Sequence, residues 1–148
     1  MARPKAVKIK RGNIEYISKI DLAGYTIREL TRAAQYDTAK LVRKRAVDKL
    51  KKLPGMRRSR RIYGSTQYWV RARELDLQIG FKHGTWYGVD QELGTKKQPK
   101  RGVLKGTVME SINDIRRIQG AYLSAIEQEN RALGLINEGD YRSPEGRE

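Results

Sequence analysis

From Leu75 to Phe81 apolar and polar positions alternate strictly, with Leu75, Leu77, Ile79 and Phe81 on one side and Asp76, Gln78 and Gly80 on the other. Period two over seven residues predicts a strand with one buried face. Just upstream, Tyr68, Val70 and Ala72 alternate with Trp69, Arg71 and Arg73, so the two runs form an antiparallel pair turning near Glu74. A second pair is signalled at the start of the chain. Val7 to Arg11 and Ile14 to Ile17 flank Gly12-Asn13, and Gly supplies the positive φ of a hairpin turn. That register sets Ile9 opposite Tyr16 and Arg11 opposite Ile14. Strands this short are marginal alone, so the hairpin leans on another surface or stays an arm.

Two stretches carry the helical period instead. After a connector at Asp21-Leu22-Ala23-Gly24, a helix is predicted from about Thr26 to Leu53, ended by Pro54-Gly55. Its apolar residues fall on two faces. Ile27, Leu30, Ala34 and Leu41 share one, and Ala39, Val42, Ala46, Leu50 and Leu53 share another about 130° round the axis. Either the helix breaks near Gln35–Thr38 with Asp37 as a cap, or one helix buries both faces, the second against a neighbouring subunit. The unbroken helix is the preferred reading. From Thr107 to Leu133, Val108, Ile112, Ile115, Gln119, Tyr122, Leu123, Ile126 and Leu133 share one stripe and define an amphipathic helix of roughly 40 Å, long enough to cover a small sheet.

The predicted fold class is therefore α+β: a small antiparallel sheet packed by a long C-terminal helix and an N-terminal helix, with an extra N-terminal hairpin or arm. The expected divisions are residues 1–20 for the arm, 21–133 for the α+β domain and 134–148 for a disordered polar tail.

Charge changes this picture more than size does. The formal net charge is +15, and residues 1–62 hold 19 Lys/Arg against 5 Asp/Glu while the rest are nearly balanced. Lys40 to Arg61 alone carries 11 basic residues and one acid, Asp48. Lys51, Lys52, Arg57, Arg58, Arg60 and Arg61 read as an exposed basic loop able to grip phosphates, and Lys96, Lys97, Lys100 and Arg101 as a second such cluster. Hydrophobic content is 38% against 33% charged, which leaves part of the burial to an arm, a tail or neighbouring subunits. The chain contains no cysteine, so neither disulfides nor thiolate metal sites are expected. Without a membrane-length apolar run or an h-region behind Met1-Ala2-Arg3-Pro4-Lys5, an intracellular, soluble protein is expected.

The chemistry of catalysis is sparse. His83 is the one histidine, so no Ser-His-Asp or Cys-His set can form within the chain, and a turn residue is the plainer reading of it. Gly80, Gly84 and Gly88 lack the Walker and Rossmann spacings. Asp76, Asp90 and Glu92 offer carboxylates for a divalent ion, a remote nuclease reading without a basic partner at diagnostic spacing. Tyr63, Tyr68, Trp69 and Trp86 suit packing or interfaces better than a base-stacking platform. Neither catalytic residues nor cofactors nor metals are expected.

Tyr87-Gly88-Val89-Asp90-Gln91-Glu92-Leu93-Gly94-Thr95, a polar loop with Pro99, and Val103-Leu104-Lys105 leading into a helix make the most specific stretch. It resembles the head–tail joining or tail-completion (minor tail component) family of tailed bacteriophages, whose members show a Tyr-Ala…Glu-Phe-Gly-Thr run followed by a Pro-Phe-Leu-Arg-Pro-Ala-like segment. Tyr87, Glu92, Gly94 and Thr95 match, Leu93 replaces the aromatic, and Leu104 and Lys105 stand where Leu-Arg is expected. The order of helix, basic loop, hairpin, this loop and terminal helix agrees over roughly Thr26 to Leu133. The family's Thr-Gly-x-Leu is met only loosely by Pro54-Gly55-Met56-Arg57, its Pro-Phe and Pro-Ala steps are absent at Gly102-Val103 and Gly106-Thr107, and the N-terminal hairpin is an addition.

The resemblance implies a structural virion protein at the head–tail interface, assembled in the bacterial cytoplasm. It further implies a homo-oligomeric ring of six subunits that meets other connector and tail-tube proteins, passes DNA through its lumen and touches no membrane. The residue-level reading keeps a competitor, a free nucleic-acid-binding protein using the N-terminal helix and the Lys51–Arg61 loop. Glu92 fits either loop fixing or an inter-subunit pair with Arg57, Arg58 or Lys97, and Gly94 a turn that a side chain would obstruct.

Overall fold

A computed structural model describes residues 3–54 and 61–138. The elements run β1 (Val7–Arg11), β2 (Ile14–Ser18), α1 (Ile20–Lys52), α2 (Arg61–Ser65), β3 (Thr66–Arg71), β4 (Asp76–Phe81), α3 (Trp86–Leu93), α4 (Val103–Glu110), α5 (Ile112–Leu123), a 3-10 turn (Ser124–Glu127) and α6 (Glu129–Glu138). The fold is α+β, as the sequence predicts. Two separate antiparallel hairpins make up its sheets.

α1 is one unbroken helix of 33 residues, and everything else except the first hairpin is arranged around it. Its buried residues include Leu30, Ala34, Thr38, Val42, Ala46 and Leu50, each four after the last. A step of four advances about 40° round a helix, so this row winds through about 200° between Leu30 and Leu50. The two faces read from the sequence are the ends of that one winding row. Leu30 and Ala34 on the first and Ala39, Val42, Ala46 and Leu50 on the second are buried within the chain itself, so burying the second face requires no neighbour, while Ile27 stays exposed. Leu30, Ala33 and Ala34 pack with Tyr122 and Ala132, while Leu50 packs with Ile62, Phe81, Tyr87 and Val103.

The connector expected at residues 21–24 is instead the first turn of α1. Asp21 favours the positive helix start, Ala23 N–H donates to the Lys19 carbonyl, and the Thr26 hydroxyl donates to the Leu22 carbonyl. The helix ends at Lys52, where Leu53 turns extended ahead of Pro54.

β3 and β4 pair antiparallel with Tyr68 opposite Ile79 and Val70 opposite Leu77, the face predicted by period two. Leu75 departs from that prediction. It belongs to the turn, at φ 54°, and its carbonyl accepts the Gln35 side-chain amide of α1. The hairpin lies chiefly on α1, held also by Arg43 Nε–H donating to the Thr66 carbonyl at 2.9 Å.

The single C-terminal helix expected from Thr107 to Leu133 is three helices, and they pack chiefly on α1 rather than over the sheet. Ser111 interrupts the first pair only slightly, but Gln128 turns extended (φ −119°, ψ 98°) and breaks the helical line ahead of α6. Beyond that break, Ala132, Leu135 and Ile136 pack with the cluster of Leu30, Ala33 and Ala34. Residues 134–138 finish α6 rather than opening a disordered tail; residues 139–148 lie outside those described.

The first hairpin adopts the predicted register, Ile9 opposite Tyr16 and Arg11 opposite Ile14. Val7, Ile9, Ile14 and Tyr16 share one of its faces with Arg11 and Ser18, and these four apolar residues are all exposed.

Candidate functional site

The stretch 87–105 is built on a helix that the sequence reading took for a loop. α3 carries Trp86, Val89 and Leu93 at helical spacing, a signal obscured by Gly88, a poor helix former. Gly88 is there for contact: a β-carbon at that position would fall 2.6 Å from the Phe81 ring. Tyr87, on the opposite side of α3 from Val89, packs into the Leu50–Ile62 cluster and fixes the helix to the core.

α3 ends at Gly94, whose N–H donates to the Asp90 carbonyl. Its backbone (φ 79°, ψ 160°) lies in a region essentially reserved for glycine. A β-carbon there would also sit 2.7 Å from the Lys100 backbone nitrogen. The chain then makes a tight reversal. Thr95 N–H donates to the Gln98 carbonyl at 2.9 Å, Gln98 N–H returns to the Thr95 carbonyl at 3.2 Å, and the Thr95 hydroxyl accepts the Lys97 and Gln98 N–H groups. Lys96 and Lys97 stand exposed at the tip. Arg101 N–H donates to the Gln91 carbonyl, bringing the chain back to α3.

Glu92 completes the unit. α4 begins after Gly102, a left-handed residue without a side chain to cap it. Glu92 caps it from the neighbouring helix: its two carboxylate oxygens accept the Leu104 N–H at 3.0 Å and the Lys105 N–H at 2.9 Å. A carboxylate at a helix N-terminus satisfies orphan donors and faces the positive end of the dipole. Of the two roles open to Glu92 in the sequence, the structure places it in loop fixing. Tyr87, Glu92, Gly94, Thr95, Leu104 and Lys105 thus belong to one connected arrangement.

Beside this unit lies an open apolar groove of about 610 Å³ between the end of β4 and α3–α4. Phe81, Thr85, Trp86, Val89, Leu93 and Leu104 line it. Trp86 is 72% exposed and Leu93 65%, so α3 turns its apolar stripe outward. His83 lies at the groove's edge in an exposed turn.

The basic residues divide. Arg45 donates to Asp114 at 2.6 Å and to the Ser111 hydroxyl at 2.9 Å, and Lys49 pairs with Glu110, so two α1 cations tie α1 to α4 and α5. The Arg45 guanidinium holds the Asp114 carboxyl below its ordinary range mainly by hydrogen bonding. Lys51 and Lys52 belong to the last turn of α1 rather than to a loop. Both are exposed, Lys51 with its ammonium 5.5 Å from the Tyr63 ring centre. Arg57, Arg58 and Arg60 lie outside the described residues, and of Arg61 only the backbone, in α2, is described. Lys96, Lys97 and Lys100 are exposed and Arg101 half-buried.

Asp76 begins β4 paired with Arg71, whose hydrogen bond lowers the pKa of Asp76. Asp90 and Glu92 sit on α3, beyond the far end of that strand, so the three acids do not converge. Among the described residues no group of three or more His, Asp or Glu is placed to hold a metal ion, and no helix is long and apolar enough to cross a membrane. Nor do the aromatics share one surface. Tyr68 meets Tyr36 edge-on at 6.4 Å, Tyr63 joins the Leu50 cluster, and Trp69 points to the other face of β3. Comparison with protein-family models, curated proteins and solved structures yields no match to this chain.

Proposed function

We propose that this chain is a structural protein of a tailed-phage or prophage particle, a ring subunit joining tail to head around the DNA channel. The observation that carries the reading is the connected arrangement of Tyr87, Glu92, Gly94, Thr95, Leu104 and Lys105. The residues that resemble the tail-completion family are those whose backbone and side chains fix the α3–α4 junction. A junction held this firmly, with an apolar stripe and a lysine-tipped turn left outside, suits contact with neighbouring proteins more than turnover of a substrate.

In this reading six copies close a ring at the head–tail interface, meeting connector and tail-tube proteins. Lys96, Lys97 and Lys100, with Lys51 and Lys52, are candidates to face passing DNA. Their contacts are individually weak and screened by salt, as passage requires. The reading assigns the chain no catalytic step.

Negative-stain microscopy with mass measurement at high protein concentration tests it. Closed rings, formed alone or on a tail tube, are expected, together with weak affinity for free duplex. A protein that forms no ring in either setting and binds duplex tightly, with affinity falling steeply in salt, is instead a free nucleic-acid-binding protein.

A further inference from the structure

Among the described residues, two clusters of exposed apolar side chains stand far apart. The first is the hairpin face of Val7, Ile9, Ile14 and Tyr16, with Ile14 74% exposed. A two-stranded ribbon is marginal in water, and its apolar face is the part that another surface must cover. The second is the α3 stripe of Trp86, Val89 and Leu93 beside the groove floored by Phe81 and Leu104.

The hairpin cannot reach the groove of its own copy. It enters α1 at Ile20, while the groove wall, through Phe81 and Tyr87, packs against Leu50 at the other end of that helix. Thirty residues of α1 separate these points, roughly 45 Å. Five-residue strands extend roughly 17 Å.

We infer that the apolar face of the β1–β2 hairpin docks in the α3–α4 groove of a second copy of this chain, head to tail. Because the two surfaces differ, the contact is heterologous, and repetition closes a ring or runs on as a filament. The seven exposed apolar side chains, at roughly 100 Å² each when fully buried, supply at most about 700 Å², short of the roughly 1,200 Å² at which stable specific interfaces begin. Each contact is therefore weak alone and gains from closure. Copies of net charge +15 repel one another, so salt strengthens this apolar contact, whereas a DNA-bridged association dissolves in salt. The inference rests on the ring reading and supplies its subunit contact.

The chain has no cysteine, so single substitutions introduce the only thiols. Under mild oxidation, full-length Tyr16→Cys mixed with full-length Val89→Cys is expected to form a covalent dimer about tenfold faster than either variant forms with itself. Adding Trp86→Asp to the Val89→Cys copy should remove that dimer while leaving the helical circular dichroism unchanged. The doubly substituted chain should give a ladder of multimers. Equal self-linking of each variant, absence of the mixed dimer, or an internally linked monomer from the double variant overturns the inference. Rings seen by microscopy without the mixed crosslink sink this contact and leave the ring reading standing. A crosslinked ladder that never closes keeps the contact and removes the ring.

Discussion

The Glu92 carboxylate lies 3.0 Å from the backbone nitrogen of Leu104, twelve residues further on, and so caps a helix to which it does not belong. The residue just before that helix, Gly102, has no side chain with which to do so. Glu92→Ala leaves two N–H donors unpaired and should cost about 1 kcal/mol, the size of a lost N-cap. That corresponds to roughly 2–4 °C in thermal midpoint for a chain of this size. Glu92→Gln keeps one acceptor and should cost less. A drop for Gln as large as for Ala would show that charge, not the acceptor geometry, carries the cap.

Gly94 meets two constraints at once, a glycine-only backbone region and the Lys100 backbone 2.7 Å from where a β-carbon would stand. Gly94→Ala is expected to lose roughly 1–3 kcal/mol, since backbone cannot move aside as a side-chain end can. Gly120, inside α5 with open space around it, is the control. There Ala should stabilise by roughly 0.5–1 kcal/mol, read from paired denaturant curves.

Acid should loosen the links between elements. Asp114 and Asp76 have lowered pKa values because Arg45 and Arg71, respectively, donate hydrogen bonds to them. A lowered folded value means that the stabilisation is complete above the ordinary carboxylate range near pH 4 and is lost as pH falls through the depressed values. Thermal midpoints of wild type and Asp114→Asn should therefore differ at pH 6 and converge toward pH 2, and more so at low salt than at high. A constant gap across that range would show that the pair contributes nothing through charge.

Lysines at the Thr95–Gln98 reversal and α1 cations should behave differently toward duplex DNA. Combined Lys96→Ala, Lys97→Ala and Lys100→Ala is expected to weaken binding and shrink the salt slope by roughly 0.9 for each lysine that faces a phosphate. Arg45→Ala, which removes contacts to Asp114 and Ser111, should lower the thermal midpoint and leave the slope alone. Binding titrations at several salt concentrations separate the two.

The legibility of this chain varies with the reach of the interaction concerned. Gly12-Asn13 placed the first hairpin in its register, and alternation from Tyr68 to Phe81 placed the second as an antiparallel pair turning near Glu74, with Ala72, Arg73 and Leu75 falling in the turn instead of the strands. The i, i+3, i+7 pattern of Trp86, Val89 and Leu93 was present in the sequence, yet Gly88 and the short span made it read as loop. At Gln128 neither glycine nor proline announces the break between α5 and α6. It is favoured by what Ala132, Leu135 and Ile136 gain on packing with α1.

The sequence by itself determined the α+β class, the register of the first hairpin, the antiparallel pairing of the second, the end of α1 before Pro54 and the need for glycine at position 94. Each depends on neighbours within a few residues, where backbone sterics and side-chain period act directly. Only the tertiary structure decided that the two apolar faces of α1 are one winding row and that the C-terminal helix breaks at Gln128. It also decided that Glu92 is bound to Leu104 and Lys105, and that Arg45 and Lys49 are turned to carboxylates. These depend on which surface arrives opposite a residue. That is set by packing across tens of residues rather than by the residues alongside.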